Sequence, residues 1–411
     1  MVPPARPDAP TLDRRSLGRA LLARQHLLAR HEGTVAEETA HLVGLQAQAP
    51  WAPYTGLWTR LAGFRHADLA DRLLDRTVVR IAVMRGTIHL LVADDALVLP
   101  ALCEPILRAG LRTNAWGPAL RDVDLARLEA AARAVVEASP TATGPLGRRL
   151  AELWPDVDPT ALAYAARGTL PLVQVPPRAV WGRSGATTWT TTGAWLGRDP
   201  VDLSDPDAHD AALDDLVLRY LRAFGPASVA DVQLWSGLTR LAPVVERLRP
   251  RLVTFRAEPA PGSAPGSRGR GRELFDLPDA PRPDPGTPAP ARLLPEYDNL
   301  LLSHADRTRV VDDDARRRLW RANGAVPGTL LVDGTVAGSW TVDRAARRAT
   351  LTVEPFRRLT RAETADVRDE AEHLVRFVAD EADTHAVVWH PDADLAPGAT
   401  GRLRSPHDFG A

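Results

Sequence analysis

The chain has 411 residues, of which 45 % are hydrophobic and 25 % charged, and its formal net charge is −1. This length exceeds what one hydrophobic core usually organises and predicts two to four domains. The composition is typical of a soluble globular protein and excludes a largely disordered one. The sequence has no apolar run of about 18 residues, which a membrane span needs, and residues 1–13 lack an apolar signal core. We therefore expect a cytoplasmic protein with no membrane partner.

Arginine supplies all 51 basic side chains, because the sequence contains no lysine. Arginine forms bidentate hydrogen bonds with phosphate and guanine that lysine cannot form, although a GC-rich genome is the simpler cause of the bias. Without lysine, only the terminal amine remains for Schiff-base chemistry. The single cysteine, Cys103, excludes an internal disulfide and a Cys-rich zinc site, and its apolar helical setting predicts a structural role.

The N-terminal part predicts several helices followed by a β-hairpin. Residues 14–30 carry leucines near helical spacing among arginines, which indicates an amphipathic basic helix. Thr34 and Glu37 fit a capping box that opens a second helix. After further short helices, the stretch TVVRIAVMRGTIHLLV predicts two strands that meet near Arg85 and Gly86. This is the element order of a winged-helix unit.

The same order recurs twice more along the chain. Helices are predicted near 125–136, 145–153 and 159–166, before the strand LPLVQV and a hairpin turning at Ser184 and Gly185. A third set, near 213–223, 228–235 and 241–248, leads into the strand RLVTFRA. The Pro-, Gly- and Arg-rich segment 258–291 then predicts a flexible loop or extended wing, in which Arg268, Arg270 and Arg272 are candidates for lying along phosphates.

The remainder of the chain predicts a different kind of domain. Alternating runs such as GTLLVDGTVAGSWTVD indicate hairpins with Asp-Gly turns, and a final acidic helix is expected at about 361–381. We therefore predict an α+β fold of three tandem winged-helix domains and a β-barrel-like domain. Their predicted bounds are 14–120, 121–200, 211–290 and 291–400.

Strong catalytic motifs are missing from the sequence. It contains no Gly-x-x-x-x-Gly-Lys loop, no His-Glu-x-x-His and no Gly-x-Ser-x-Gly. The histidines are scattered without the spacing of metal ligands. We expect no metal and no cofactor.

A pair of glutamines, Gln46 and Gln48, remains as a candidate site. The pair stands beside Pro50 and Trp51 at the end of the second predicted helix. Side chains two residues apart on a helix diverge by about 200°, so the pair converges only where the helix ends or bends, as Pro50 favours. Taken alone, such a pair is most often two ordinary polar residues at a helix end.

The chain resembles the AlkZ-like DNA glycosylases, a family within the broader group of winged-helix DNA-binding proteins, over nearly its whole length. The resemblance rests on RQHLL (24–28), VGLQAQAP (43–50), VMRGTIHL (83–90), AFGPASVADVQLWSGL (223–238) and LLPEYDNLLLSHADRTRVV (293–311). The last two segments are the most diagnostic of the fold, and the glutamine pair is the most diagnostic of activity.

The resemblance implies three tandem winged helices and a β-barrel that form a C-shaped channel for double-stranded DNA. It implies that Gln46 and Gln48 face the lesion and position the attacking water, and that a DNA-engaging hairpin lies at 183–195. Two interpretations of Arg85 and His89 remain open: they contact a phosphate or the lesion, or their role is purely structural. The predicted DNA-contacting residues are Trp51, Arg85, His89, Arg183, Ser184, Thr187, Thr188 and Trp189.

The implied chemistry agrees with the residues. A purine alkylated at N7 is cationic, so its glycosidic bond breaks without a strong general acid. Neutral glutamines can hold a water by hydrogen bonds, although an amide is not an effective base. We expect a monomer that hydrolyses such a base, bulky or crosslinked adducts included, to an abasic site without a lyase step.

Two other functions remain open at this point. One is a winged-helix regulator that binds DNA without catalysis, for which neither the glutamine pair nor the β-rich C-terminal part is needed. The other is a protein-binding scaffold, against which a salt-sensitive DNA affinity would argue.

Overall fold

The structure is a computed structural model that describes residues 9–259, 271–320, 326–345 and 347–390. It has an α+β architecture with three sheets. None of the helices in these ranges combines the length and apolar character that crossing a membrane requires.

The first unit contains a β-hairpin after its short helices, as predicted. Its elements are β1 (Thr11–Leu12), α1 (Arg14–Arg24), α2 (Val35–His41), β2 (Leu45–Gln46), α3 (Ala52–Trp58), α4 (His66–Leu74), β3 (Val78–Ala82), β4 (Ile88–Val92) and α5 (Ala93–Thr113). Thr34 and Glu37 form the predicted capping box at α2. Helix α1 is shorter than predicted, because the chain leaves helical geometry at His26, where φ is +52°.

Helix α1 buries part of its basic face against distant segments. The fully buried Arg24 pairs with Asp276 at 2.7 Å, and the buried Arg19 pairs with Asp333. These ion pairs connect the N-terminal helix to the third unit and to the C-terminal sheet, so these two arginines have protein partners.

The second unit places its hairpin after three helices. It consists of α6 (Leu125–Ala138), β5 (Thr141–Ala142), α7 (Thr143–Ala151), α8 (Pro159–Thr169), β6 (Leu172–Gln174), β7 (Thr188–Thr191) and α9 (Thr192–Leu196). Strands β6 and β7 are antiparallel. The predicted hairpin at 183–195 is therefore displaced, because its arms are β6 and β7 and Trp195 lies in α9.

The third unit follows the predicted order closely. It consists of α10 (Pro206–Phe224), α11 (Val229–Ser236), α12 (Ala242–Leu248), β8 (Val253–Ala257) and β9 (Glu273–Asp276). Strand β8 pairs with β9 and also, in parallel, with β1. Of the three arginines predicted for the wing, Arg268 and Arg270 lie outside the described residues, and Arg272 pairs with Asp306 at 3.4 Å.

The C-terminal part is an open sheet. Its elements are β10 (Arg292–Leu294), α13 (Asn299–Leu302), α14 (Asp313–Leu319), β11 (Gly328–Val332), β12 (Thr335–Ala345), β13 (Arg348–Pro355), α15 (Arg361–Val378) and β14 (Thr384–Trp389). The strand order is β10-β11-β12-β13-β14, and β14 pairs in parallel with β13 rather than with β10. The predicted barrel is thus not closed within the described residues. Helix α15 packs Val367, Ala371 and Leu374 into the core beside this sheet.

One sheet joins the first two units. Its strand order is β2-β4-β3-β6-β7-β5, and the units meet where Arg80 of β3 pairs with Gln174 of β6. The first two predicted domains therefore share a continuous hydrogen-bonded ladder. The count of tandem winged helices and the C-shaped channel stay predictions.

Candidate active site

The two glutamines lie on and just after β2, not at a helix end. Helix α2 ends at His41, and the chain then turns at Gly44, where φ is +95°. A Cβ on Gly44 would lie 2.8 Å from the Leu90 carbonyl oxygen, so only glycine permits this approach to β4. The predicted helical setting was wrong because pairing with β4 determines the local backbone.

Strand β4 fixes the backbone of the motif. Gln46 pairs with His89 in the antiparallel ladder, and the Ala47 N–H donates to the Ile88 carbonyl at 2.7 Å. Beyond this point a side chain replaces the main chain as acceptor, because the Ile88 N–H donates to the side-chain Oε1 of Gln48 at 3.3 Å. Gln46 is 7 % exposed and Gln48 is exposed, so the motif runs from the interior to the surface.

Asn299 completes the other side of β2. Its Oδ1 accepts a hydrogen bond from the Gln46 N–H at 3.3 Å, and its Nδ2 donates to the Gly44 carbonyl at 2.6 Å. One buried carboxamide thus takes the place that a neighbouring strand would fill.

The carbonyl of Ala47 is held by Arg80. The Arg80 guanidinium donates to it at 2.7 Å and to Gln174 Oε1 at 2.6 Å. Burial lowers the pKa of Arg80 to about 9, with a further contribution from the nearby Arg178. Arg80 therefore connects the motif to the hairpin of the second unit.

Arg85 reaches the Gln46 side chain from the turn between β3 and β4. Its guanidinium donates to Gln46 Oε1 at 2.9 Å and also to the Trp235 carbonyl. The backbone of Arg85 has φ of +56°, and it lies against Gly237, where a Cβ would be 3.0 Å from the Arg85 nitrogen. Burial lowers the pKa of Arg85 to about 10, so the side chain remains a cation at neutral pH.

His89 is a structural partner of Arg85. Its side chain is 1 % exposed, its Nδ1 lies 3.0 Å from the Thr87 carbonyl, and its Nε2 lies 3.4 Å from the Arg85 guanidinium. Burial and the charge of Arg85 lower the pKa of His89 to about 3. Both side chains have internal partners, which supports a structural role for them, and their contact with DNA stays a prediction.

A cluster of aromatic side chains begins at Trp51, just after the motif. Trp51 is 40 % exposed, and its ring meets that of Trp181 edge-on, with centroids 5.5 Å apart. Trp181 stacks on His66 at 3.8 Å, and His66 stacks on Phe377 of α15 at 4.1 Å. Tyr54 fixes this region, since its hydroxyl donates to Ala179 and accepts from the Trp181 N–H, each at 3.0 Å.

The connection between β6 and β7 brings some of the predicted hairpin residues near the motif. Arg183 and Ser184 are exposed just after Trp181, and Thr187 and Thr188 are half-buried. Trp189 is 4 % exposed and packs in the core of the second unit. The strand position of Trp189 turns its indole inward, which favours a role in the core, and its contact with DNA stays a prediction.

A small recess lies beside Gln46. Its lining comprises Leu42, Leu45, Gln46, Ala52, Arg60, Pro295, Asp298 and Asn299. Arg60 and Asp298 form a buried, doubly hydrogen-bonded ion pair there, at 2.9 and 2.8 Å. This ion pair fixes the segment that carries Asn299 against the first unit.

Sequence reasoning missed the roles of Asn299, Arg80 and Trp181. Asn299 lies within the segment LLPEYDNLLLSHADRTRVV. Trp235 and Gly237, against which Arg85 packs, lie within AFGPASVADVQLWSGL. These two segments are the ones most diagnostic of the family fold, so their resemblance to the family was the signal that the sequence offered. That resemblance does not indicate which residues the segments contact.

Three comparisons relate the chain to known proteins. The family model described as DNA glycosylase AlkZ-like matches residues 39–377. A curated relative, the interstrand DNA cross-link repair glycosylase of Streptomyces sahachiroi, is 25 % identical over 383 residues, which cover 86 % of this chain and 94 % of the relative. The solved structure of the DNA glycosylase AlkZ from the same organism is similar in fold, with a TM-score of 0.73 and 19 % identity, over 92 % of this chain and 100 % of the other.

Proposed function

Because the chain belongs to the AlkZ-like DNA glycosylase family, we propose that it hydrolyses the N-glycosidic bond of an N7-alkylated purine in duplex DNA and leaves an abasic site. Gln46 and Gln48 are the proposed catalytic residues. The observation that carries the proposal is the chemistry of their surroundings. Across the described ranges, Arg85 is hydrogen-bonded to the Gln46 side chain and the Ile88 main chain to the Gln48 side chain, while Asn299 binds the Gln46 main chain, and none of these groups is a carboxyl.

Three titratable groups near the motif are poor proton donors for a leaving base, and the Asp298 carboxylate in the recess is held in its ion pair with Arg60. A general acid works best with a pKa near the working pH. The pKa of His89 is about 3, and burial raises the pKa values of Tyr54 and Cys103 to about 12 each. These surroundings suit a base that leaves without being protonated, as a cationic N7-alkylated purine does.

The proposed reaction needs only water as co-reactant. The water oxygen bonds to C1′, the C1′–N9 electron pair moves onto the purine and neutralises its charge, and one water proton passes to solvent. The chain has no lysine, so no side-chain amine is available to cleave the DNA strand through a Schiff base. We therefore propose a monofunctional glycosylase.

Duplex DNA is the proposed partner, and we place its contacts around the exposed end of the motif. Trp51, Arg183, Ser184, Thr187 and Thr188 remain the proposed contact residues, since all are at least partly exposed. The curated relative is named for interstrand cross-link repair, and an open site beside Trp51 suits bulky or crosslinked purines, which would not enter a tight pocket. We further propose that tandem winged helices form a channel that binds the DNA, and that the protein works as a monomer in the cytoplasm.

A base-release assay tests this proposal. One duplex carries 7-methylguanine and a second carries an N7 interstrand crosslink, and alkali-dependent strand cleavage reports abasic sites. We expect product from the native chain and none from Gln46→Ala/Gln48→Ala, whose DNA affinity remains. Tight DNA binding without product on either duplex would instead identify a DNA-binding protein without catalysis.

A further inference from the structure

The orientation of the Gln46 carboxamide follows from the chemistry of its partner. A guanidinium has donors and no acceptor, so the Gln46 atom that lies 2.9 Å from Arg85 is the oxygen. The Nε2 of Gln46 must then point away from Arg85. The assignment does not depend on telling amide oxygen from nitrogen by position.

The same argument applies to Gln48. A main-chain N–H is only a donor, so the Gln48 atom that lies 3.3 Å from the Ile88 nitrogen is also the oxygen. Among the described residues neither Nε2 donates to a protein group; that of Gln46 is not fully buried, and Gln48 is an exposed residue. Both amide NH₂ groups therefore reach solvent while both oxygens are engaged inside the protein.

Arg85 is itself held in place before substrate arrives. Its guanidinium is anchored on the Trp235 carbonyl, and Gly237 allows its backbone to pack at close range. Because the Thr87 carbonyl can only accept, it takes the proton on Nδ1 of His89. The Nε2 of His89 is then an acceptor that faces Arg85.

We propose that Arg85 is a positioning residue that fixes Gln46 as a hydrogen-bond donor, so that the glutamine pair binds an acceptor atom of the leaving purine. This inference rests on the proposed function. Electron density returns to the purine as the C1′–N9 bond breaks, so its ring nitrogen and carbonyl acceptors become better acceptors in the transition state. A donor held ready for that change stabilises the transition state more than the bound substrate.

Substitution of Gln46 by glutamate separates the donor role from an acceptor role. The introduced carboxylate would pair with Arg85 through its oxygens, but it would have no NH₂ group to offer. We expect Gln46→Glu to lower single-turnover base release at least as much as Gln46→Ala, by about 100-fold, the loss typical of one transition-state donor. If glutamine acts by accepting from water, Gln46→Glu retains or exceeds native activity, and the inference is wrong.

Substitution of Arg85 tests the positioning step. In Arg85→Met the Gln46 amide is free to turn, so the rate of base release should fall while DNA affinity stays, and Arg85→Lys should restore part of the rate. The fall caused by Gln46→Ala should be smaller in the Arg85→Met background, because the two residues act as a unit. Arg65→Met, which removes a side chain that is 79 % exposed, serves as the matched arginine control.

The outcomes distinguish this inference from the proposed function. No base release by the native chain overturns the proposed function itself. Native activity with equal losses from Gln46→Ala in both backgrounds, or full activity of a folded Arg85→Met chain, overturns only the role of Arg85. Near-UV circular dichroism checks that each variant is folded, and should Arg85→Met not fold, Gln46→Glu decides the question.

Discussion

The Asn299 carboxamide accepts a hydrogen bond from the Gln46 N–H, although 253 positions separate the two residues along the chain. Its NH₂ group also donates to the Gly44 carbonyl at 2.6 Å. The C-terminal third of the protein therefore reaches the motif directly. Its contribution to the site is to hold the short strand β2 on the side that β4 leaves open.

Replacement of Asn299 by Asp should disturb the site in a specific way. A carboxylate oxygen would replace the NH₂ group that donates to the Gly44 carbonyl. Two hydrogen-bond acceptors would then face each other. We expect a loss of about 1–3 kcal/mol in the free energy of unfolding, as for other buried polar groups left unpaired, together with slower base release. Urea unfolding and single-turnover assays measure the two effects, and unchanged values in both would contradict the role given to Asn299.

The buried His89 should make the protein less stable in acid. Its pKa is about 3 in the folded chain and about 6.5 in an unfolded one. Between these values the unfolded state binds a proton that the folded state does not, so the free energy of unfolding falls as pH drops below about 6.5. At pH 5 the loss amounts to about 2 kcal/mol.

Urea unfolding between pH 5 and 8 tests this dependence. The variant His89→Gln should have a shallower slope. Some slope should remain, because burial also lowers the pKa of His304 to about 3. Identical slopes for the variant and the native chain would show that His89 is not the source.

Trp189 and Trp51 should respond oppositely to substitution by alanine. Trp189 is 4 % exposed, whereas Trp51 is 40 % exposed. Trp189→Ala should cost about 3–5 kcal/mol of stability, as loss of a core aromatic does, with little change in the DNA affinity of the folded fraction. Trp51→Ala should weaken DNA binding with a small effect on stability. Thermal unfolding and fluorescence anisotropy separate the two, and a reversal of the pattern would exclude Trp51 as a contact.

The absence of lysine makes a clear prediction for trapping experiments. Borohydride reduction should not link the protein covalently to DNA containing an abasic site, since no side-chain amine is available. A glycosylase that forms a Schiff base serves as the positive control on the same gel. A trapped band that disappears after the terminal amine is blocked would assign a lyase step to the N-terminus, against the monofunctional proposal.

Helices with strong local signals could be predicted from the sequence. Helix α11 begins after Ser228, which forms a capping box with Asp231, and ends at Ser236, before Gly237 in the left-handed conformation. The predicted segment 228–235 differs from it by one residue at each end. Caps and turn residues act locally, so a single sequence carries this information.

Features that depend on distant partners could not be predicted. Strand β2 has two residues, too few for a periodic pattern, and it exists through its pairing with β4. The described strands do not close the predicted barrel for the same reason, since alternation indicates strands but not whether β14 pairs with β13 or with β10. The inward position of Trp189 likewise follows from the register of β7 against β6.

The shared sheet also limits how the protein can be divided. If the first unit were separated from the second, β3 would lose its neighbour β6 and expose the main chain around Arg80 as an unpaired edge. Such an edge invites pairing with other copies, so the fragment would be prone to aggregate. The glutamine motif therefore depends on the neighbouring unit. Transferring it to another protein would require the β6–β7 hairpin to be transferred with it.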